Sequence, residues 1–172
     1  MQNLFSYPLK VEDMGSGSKK YQLKASSEQL KYVAEVLKLD NILRFESDIE
    51  VSFLRKNHKI NIKGSLVADV EETSVISLEK FIKTYTPNFE IVFDTELTEE
   101  ELKEMEFDFD DDEPDVIKNG QIDLADIAME QLALVLDDFP RKEGEVFAFE
   151  SEFDEETTKK TNPFAALANL KK

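Results

Sequence analysis

Between Leu43 and Val70 apolar and polar residues alternate with a period of two, and the alternation is broken once. Leu43, Phe45, Ile49, Val51 and Phe53 fall on one side, and Arg44, Glu46, Asp48 and Glu50 on the other. That is the pattern of a strand with one face in a core and one in water. After Lys56-Asn57-His58-Lys59, whose Asn57 tolerates a left-handed backbone, Ile60, Ile62, Leu66, Ala68 and Val70 resume it. The two runs predict an antiparallel hairpin. Two further runs, Val75 to Ile82 and Phe89 to Phe93, are separated by Thr84-Tyr85-Thr86-Pro87-Asn88. They extend the hairpin to a meander of about four strands. Gly64, inside a strand, marks a bulge or the close approach of another group.

The flanking segments change period. An extended start holds Leu4, Tyr7, Leu9 and Val11, residues 14–20 have the Gly and Ser content of a turn or loose loop, and Tyr21 and Leu23 give a short strand. Ser26 and Gln29 form a capping-box pair ahead of Leu30, Val33, Ala34 and Leu37, which predicts an amphipathic helix over 27–38 with its exit at Asn41. Thr98 and Glu101 repeat the pair and open a short helix to about Glu106. Asp123 is the expected N-cap of the strongest helix, whose stripe Leu124, Ile127, Ala128, Leu132 and Val135 runs on towards Pro140. Glu150 to Thr161 reads as a polar tether, and Asn162-Pro163 starts a C-terminal helix carrying Phe164, Leu167 and Leu170. The expected fold is α+β: an antiparallel sheet of about four to six strands packed with two main helices, plus a short C-terminal helix. It divides into a domain over 1–149 and a tether with helix over 150–172.

Charge restricts the partners. The 172 residues carry a net −17. Residues 1–64 hold +3 and residues 65–172 hold −20. Such a field opposes a phosphate backbone and favours basic partners, so any nucleic-acid contact has to be local. The local candidates are Arg55, Lys56, Lys59 and Lys63 on the hairpin, with Lys19, Lys20 and Lys24 as possible neighbours. Lysines on an exposed hairpin also discourage edge-to-edge aggregation, which is their ordinary role.

Several chemistries lack their residues. There is no Cys, and the one His, His58, lies in the expected turn. A thiolate nucleophile, a Cys-ligated zinc or iron-sulfur site and a multi-His site are therefore excluded. The run Phe107 to Asp115 places Asp108, Asp110 and Asp112 like the start of a calcium loop. Glu113 stands where that loop needs Gly, however, and Asn119 where it needs Glu, so a solvated acidic loop is the plainer reading. The five glycines are dispersed and build no phosphate-binding loop. Carboxylate pairs such as Glu71 with Glu72 are uninformative among so many acids. No enzyme, cofactor or metal is expected. Met1 to Lys10 lacks a signal-peptide pattern, and the chain reads as soluble and cytoplasmic, with neither membrane nor DNA as partner.

Five linked segments resemble the YceD family, the large ribosomal RNA subunit accumulation proteins of bacteria, in the form typical of alphaproteobacteria. Ile62-Lys63-Gly64-Ser65-Leu66-Val67-Ala68-Asp69-Val70 resembles the family's G-x-L-x-A-x-V strand, and Ser74-Val75-Ile76-Ser77-Leu78-Glu79-Lys80-Phe81 its C-V-V-T-L-E-P-V/F run. The stretch from Gly120 to Leu134 resembles its G-x-I-D-L-G-E-x-x-x-E-x-L-A-L helix. Phe139 to Gly144 and Asn162 to Ala168 resemble Y-P-R-K-P-G and N-P-F-A-V-L. Ser74 replaces a Cys, Lys80 and Glu143 each replace a Pro, and the further cysteines of other members are missing, so no metal role carries over.

The resemblance implies a non-enzymatic role in large-subunit biogenesis and accumulation of its 23S ribosomal RNA. Joined to the charge map, the expected mode is that the acidic part holds a basic large-subunit ribosomal protein or assembly factor while the hairpin lysines touch ribosomal RNA. Phe164, Leu167 and Leu170 are candidates for docking a partner, or for folding back on the core. The competing readings are an acidic protein-binding module or chaperone for basic clients outside the ribosome, and a hydrolase built from dispersed carboxylates.

Overall fold

A computed structural model describes residues 4–98, 100–101 and 114–146, with the side chains of Leu54 and Arg55 outside the description. The chain divides into two units, Met1–Lys142 and Glu143–Lys172. The first is α+β. Of the expected acidic loop Phe107 to Asp115, residues 107–113 fall outside the described residues and Asp115 begins a short strand; the rest of the expected helix beyond Glu101, the tether from residue 150 and the expected C-terminal helix also fall outside.

The period-two alternation produces two long strands, β3 (Asn41–Leu54) and β4 (Lys59–Thr73), of 14 and 15 residues. Both are far above the usual ~5–6. They pair antiparallel from Asn41↔Glu71 to Leu54↔Lys59. The register shifts between Ile42 and Arg44. This bulge changes the phase of the strand: Ile42, Phe45, Ile49, Val51 and Phe53 are buried, and Leu43, expected inside, is 47% exposed. At the tip Arg55–Asn57 forms a 3-10 turn, and the left-handed residue is His58 (φ 55) rather than Asn57.

The meander is corrected in detail. β2 (Gly17–Lys24) starts four residues before Tyr21 and pairs with the free side of β3. On the other side, β4 takes two partners along one edge: β5 (Lys80–Tyr85) pairs with Ala68–Thr73 and β6 (Asn88–Asp94) with Lys59–Ser65, both antiparallel. Thr86-Pro87 is therefore a break within one returning strand line rather than a hairpin turn. Pro87 accepts from the Leu66 N–H at 3.0 Å across the break. The run Val75 to Ile82 becomes a strand only from Lys80, because the Ser74 Oγ accepts from the N–H groups of Ile76 (3.1 Å) and Ser77 (3.3 Å) and holds a turn there. β7 (Asp115–Val116) adds a short parallel pairing to β6. Gly64 marks a close approach without a bulge, since it pairs in register with Phe89, whose ring lies over its Cα.

α1 (Ser27–Leu37) has the expected capping box, with Ser26 and Gln29 each accepting from the other's backbone N–H. Its exit is Lys38 in the left-handed conformation (φ 56), and Asn41 already begins β3. α2 (Leu124–Val135) is capped by Asp123, which accepts from Ala125 N at 2.9 Å and Asp126 N at 3.3 Å. Val135, placed in the apolar stripe from sequence, is exposed because the inward face is Leu124, Ala125, Ile127, Ala128, Met129 and Leu132. Both helices cover the inner face of the sheet, meeting Phe45, Ile49, Ile60, Ile62, Leu66 and Val70 in one core.

The N-terminal segment ties this layer down. β1 (Pro8–Lys10) pairs with β8 (Gln121–Asp123), Asp123 also accepts from Tyr7 N (2.8 Å) and Ser6 Oγ, and Phe5 meets Phe45 edge-on at 5.4 Å.

Candidate functional site

The hairpin lysines share one end of the sheet only in part. Arg55, Lys56 and Lys59 lie at the tip, and Lys56 and Lys59 are exposed. Lys63 is four residues further along β4, ~13 Å at the rise of a strand. It is 3.0 Å from Glu90, and Asn61 donates to the same carboxylate at 2.7 Å. The Asn61 bond first, then Lys63, holds that carboxyl below its ordinary range.

Acidic groups surround the tip. Asp94 stands opposite Lys59 in the ladder, His58 Nδ1 is 3.1 Å from Glu96, and Glu101 closes the Thr98 cap nearby. The tip is thus close to balanced in charge. Lys20 faces Glu50 across strands, Lys24 pairs with Glu46 at 2.8 Å, and Lys19 lies over the Tyr21 ring at 5.2 Å.

The outer face of the sheet continues this interleaving. Lys20, Glu50, Lys63 and Glu90 form one row across four strands, with signs alternating. Further along, Arg44 meets Asp69 at 2.8 Å, and Asp69 accepts from Thr84 at 2.7 Å. The face is a laced polar surface, with no row of unpaired cations among the described residues.

A second region gathers residues that composition alone did not single out. The turn 74–79 and the segment after α2, residues 136–142, lie together at the far end of β4. Val75 N–H donates to the Pro140 carbonyl at 2.9 Å, Lys142 bonds Glu79, and Lys83 is 3.4 Å from Asp137. Beneath them Glu72 continues the inward phase of β4 after Ile60, Ile62, Leu66, Ala68 and Val70, and it is only 6% exposed. Tyr85 donates its hydroxyl to Glu72 Oε1, and Tyr85 Oη in turn accepts from Asp137 N at 3.4 Å. Burial first, then the bond to Glu72, raises the Tyr85 phenol above its usual range. Glu72 Oε2 is buried with no hydrogen-bond partner among the described residues.

Above this buried pair the surface is apolar: Val75 is 49% exposed, Phe139 71%, and Leu78 77% in a left-handed conformation. The signal in the sequence was Glu72 itself, a carboxylate at a core position of a period-two strand. Among the described residues no three Asp, Glu or His side chains gather as a metal site, and no helix is long and apolar enough to cross a membrane. Phe164, Leu167 and Leu170 lie outside the described residues.

These features define a cysteine-less α+β protein with a laced polar sheet face and an apolar rim where two separate motifs meet. The chain belongs to the YceD family: the family model described as Large ribosomal RNA subunit accumulation protein YceD matches residues 62–171. That span contains β4 from Ile62 onward, the turn 74–79, α2 and the segment that follows it. Comparison with curated proteins and with solved structures gives no match.

Proposed function

We propose that this protein is a non-enzymatic cytoplasmic factor that supports large ribosomal subunit biogenesis and accumulation of its 23S RNA, chiefly by holding a basic large-subunit ribosomal protein or assembly factor. The observation that carries the reading is the family match over residues 62–171, the part of the chain that holds 30 of its 38 Asp and Glu. A field of this sign recruits cationic partners and repels free phosphate backbones. Direct RNA contact is assigned to Arg55, Lys56 and Lys59, with Lys63 secondary because Glu90 engages it. Phe164, Leu167 and Leu170 are assigned to partner docking as an apolar stripe.

The test is capture of tagged full-length chain from cells at low salt, followed by mass spectrometry of bound protein and sequencing of crosslinked RNA. Enrichment of large-subunit proteins, reduced as salt rises, is the expected result. Recovery of neither large-subunit protein nor its RNA overturns the reading. Recovery of basic proteins unrelated to the ribosome would instead support a chaperone for basic clients.

A further inference from the structure

We infer that the cavity between the C-terminal ends of α1 and α2 is a socket for one basic side chain, arginine or lysine, of a partner protein, with Glu72 as its buried carboxylate acceptor. The inference rests on the reading that the partner is a basic protein, and it gives that partner a specific contact.

The cavity is about 230 Å³ and is walled by Leu39, Leu136 and Pro140. At ~30 Å³ per water it has room for one long side chain. Glu72 lines it, with Oε1 occupied by the Tyr85 hydroxyl and Oε2 buried without a donor among the described residues. A buried acceptor of this kind is normally satisfied by a protein donor or an ordered water, and for a carboxylate a cationic donor supplies charge as well as the hydrogen bond.

The surroundings select a cation. α1 ends at Leu37 and α2 at Val135, and neither has a basic residue in its last turn, so two negative helix ends converge here. Of the other carboxylates in the lining, Glu71 is bridged to Lys80 and Asp137 to Lys83, while Asp40 accepts from Thr73 Oγ1 at 2.8 Å. Lys38 sits exposed at the rim. The negative potential disfavours RNA phosphate, and a divalent ion needs more oxygen ligands than converge here. A protein side chain has the further advantage of neighbours. Residues flanking it would lie on the exposed Val75, Leu78 and Phe139, which the Val75 to Pro140 hydrogen bond fixes beside the cavity.

The probe is N-acetyl-arginine methylamide, with the citrulline derivative as its neutral isostere, titrated into the 15N-labelled full chain. Saturable shifts at residues 38–40, 72–74 and 136–139, at least tenfold weaker with citrulline, are expected. Equal responses to both probes, or shifts only elsewhere, would overturn the assignment. Glu72→Gln keeps the acceptor for Tyr85 and removes the charge, and it should abolish the saturable shifts. Unchanged binding in that variant, with its fold verified by melting, would also overturn the inference. The arginine and citrulline comparison on the native chain needs no variant. Cellular capture separates the two readings. If large-subunit proteins are captured equally by the native chain and by Glu72→Gln, the proposed function stands and the socket fails; if the native chain captures neither these proteins nor their RNA, the function itself fails.

Discussion

Gly64→Ala is the substitution whose effect the geometry fixes most closely. A Cβ at this position would lie 2.4 Å from Phe89 Cζ and 2.8 and 2.9 Å from the two Cε atoms. Carbon atoms in contact sit at ~3.5–4.0 Å, so the ring has to move by about 1 Å or leave its place. Phe89 is buried and paired directly opposite Gly64. Overpacking of this kind costs ~1–3 kcal/mol, while replacing Gly by Ala in a strand returns ~0.5–1 kcal/mol. The backbone of Gly64 is not left-handed, so no φ strain adds to the sum. The net expectation is a loss of about 1–2 kcal/mol, a fall in Tm of roughly 2–8 °C for a chain of this size. Urea unfolding followed by far-UV circular dichroism measures it, because the chain has no Trp. The double variant Gly64→Ala with Phe89→Leu should lose less than the two singles summed, by about 1 kcal/mol. An unchanged or raised midpoint in the single variant, or strict additivity in the double, would refute the steric account.

Other outcomes follow from the same contacts. Asp123→Ala removes the α2 cap and the acceptor for Tyr7 N, and should cost about 2 kcal/mol, with Asp123→Asn milder; equal melting of the native and Ala chains would contradict this. Asp69 has its carboxyl held below the ordinary range by Thr84 first and then Arg44. A depressed carboxyl stabilises the fold above the unfolded value near ~4 and loses that contribution as pH falls through the lower folded value. The gap in Tm between the native chain and Asp69→Asn should therefore be present at pH 6 and close below about pH 4, and a gap that widened in acid would reverse the sign. Charge reversal at Lys56 and Lys59 should reduce crosslinked RNA while protein capture persists, and loss of both together would join the two contacts in one surface. Deleting residues 162–172 should weaken partner capture without lowering Tm; a lowered Tm with capture intact would mean that Phe164, Leu167 and Leu170 serve the fold.

The parts of the fold legible in the sequence are those set by neighbouring residues. Ser26 with Gln29 and Asp123 with the next turn carry their own hydrogen-bond logic, and the alternation from Ile60 to Val70 states which side faces the core. What long-range pairing decides was not legible. Leu43 has the composition of a core residue, and only the bulge against β4 turns it outward. Val75, Ile76 and Leu78 favour a strand by type, yet Ser74 diverts their N–H groups into a turn. At the hairpin tip the basic residues were visible, whereas Asp94 and Glu96 arrive through the return of β6 and could not be placed beside them beforehand. Glu72 is legible in the sequence, because its position in the alternation marks it as buried.

The clasp between β1 and β8 has a kinetic consequence. The central sheet grows from contacts between successive strands, so it can zip from the β3–β4 hairpin at low loop-closure cost, whereas pairing Pro8 with Asp123 must close more than a hundred residues of chain. The clasp is therefore expected to form after the rate-limiting barrier. Weakening it from the β1 side, at Leu9 opposite Ile122, should leave the folding limb of a chevron plot nearly unchanged and speed escape from the native state, making the N-terminal segment a determinant of native lifetime.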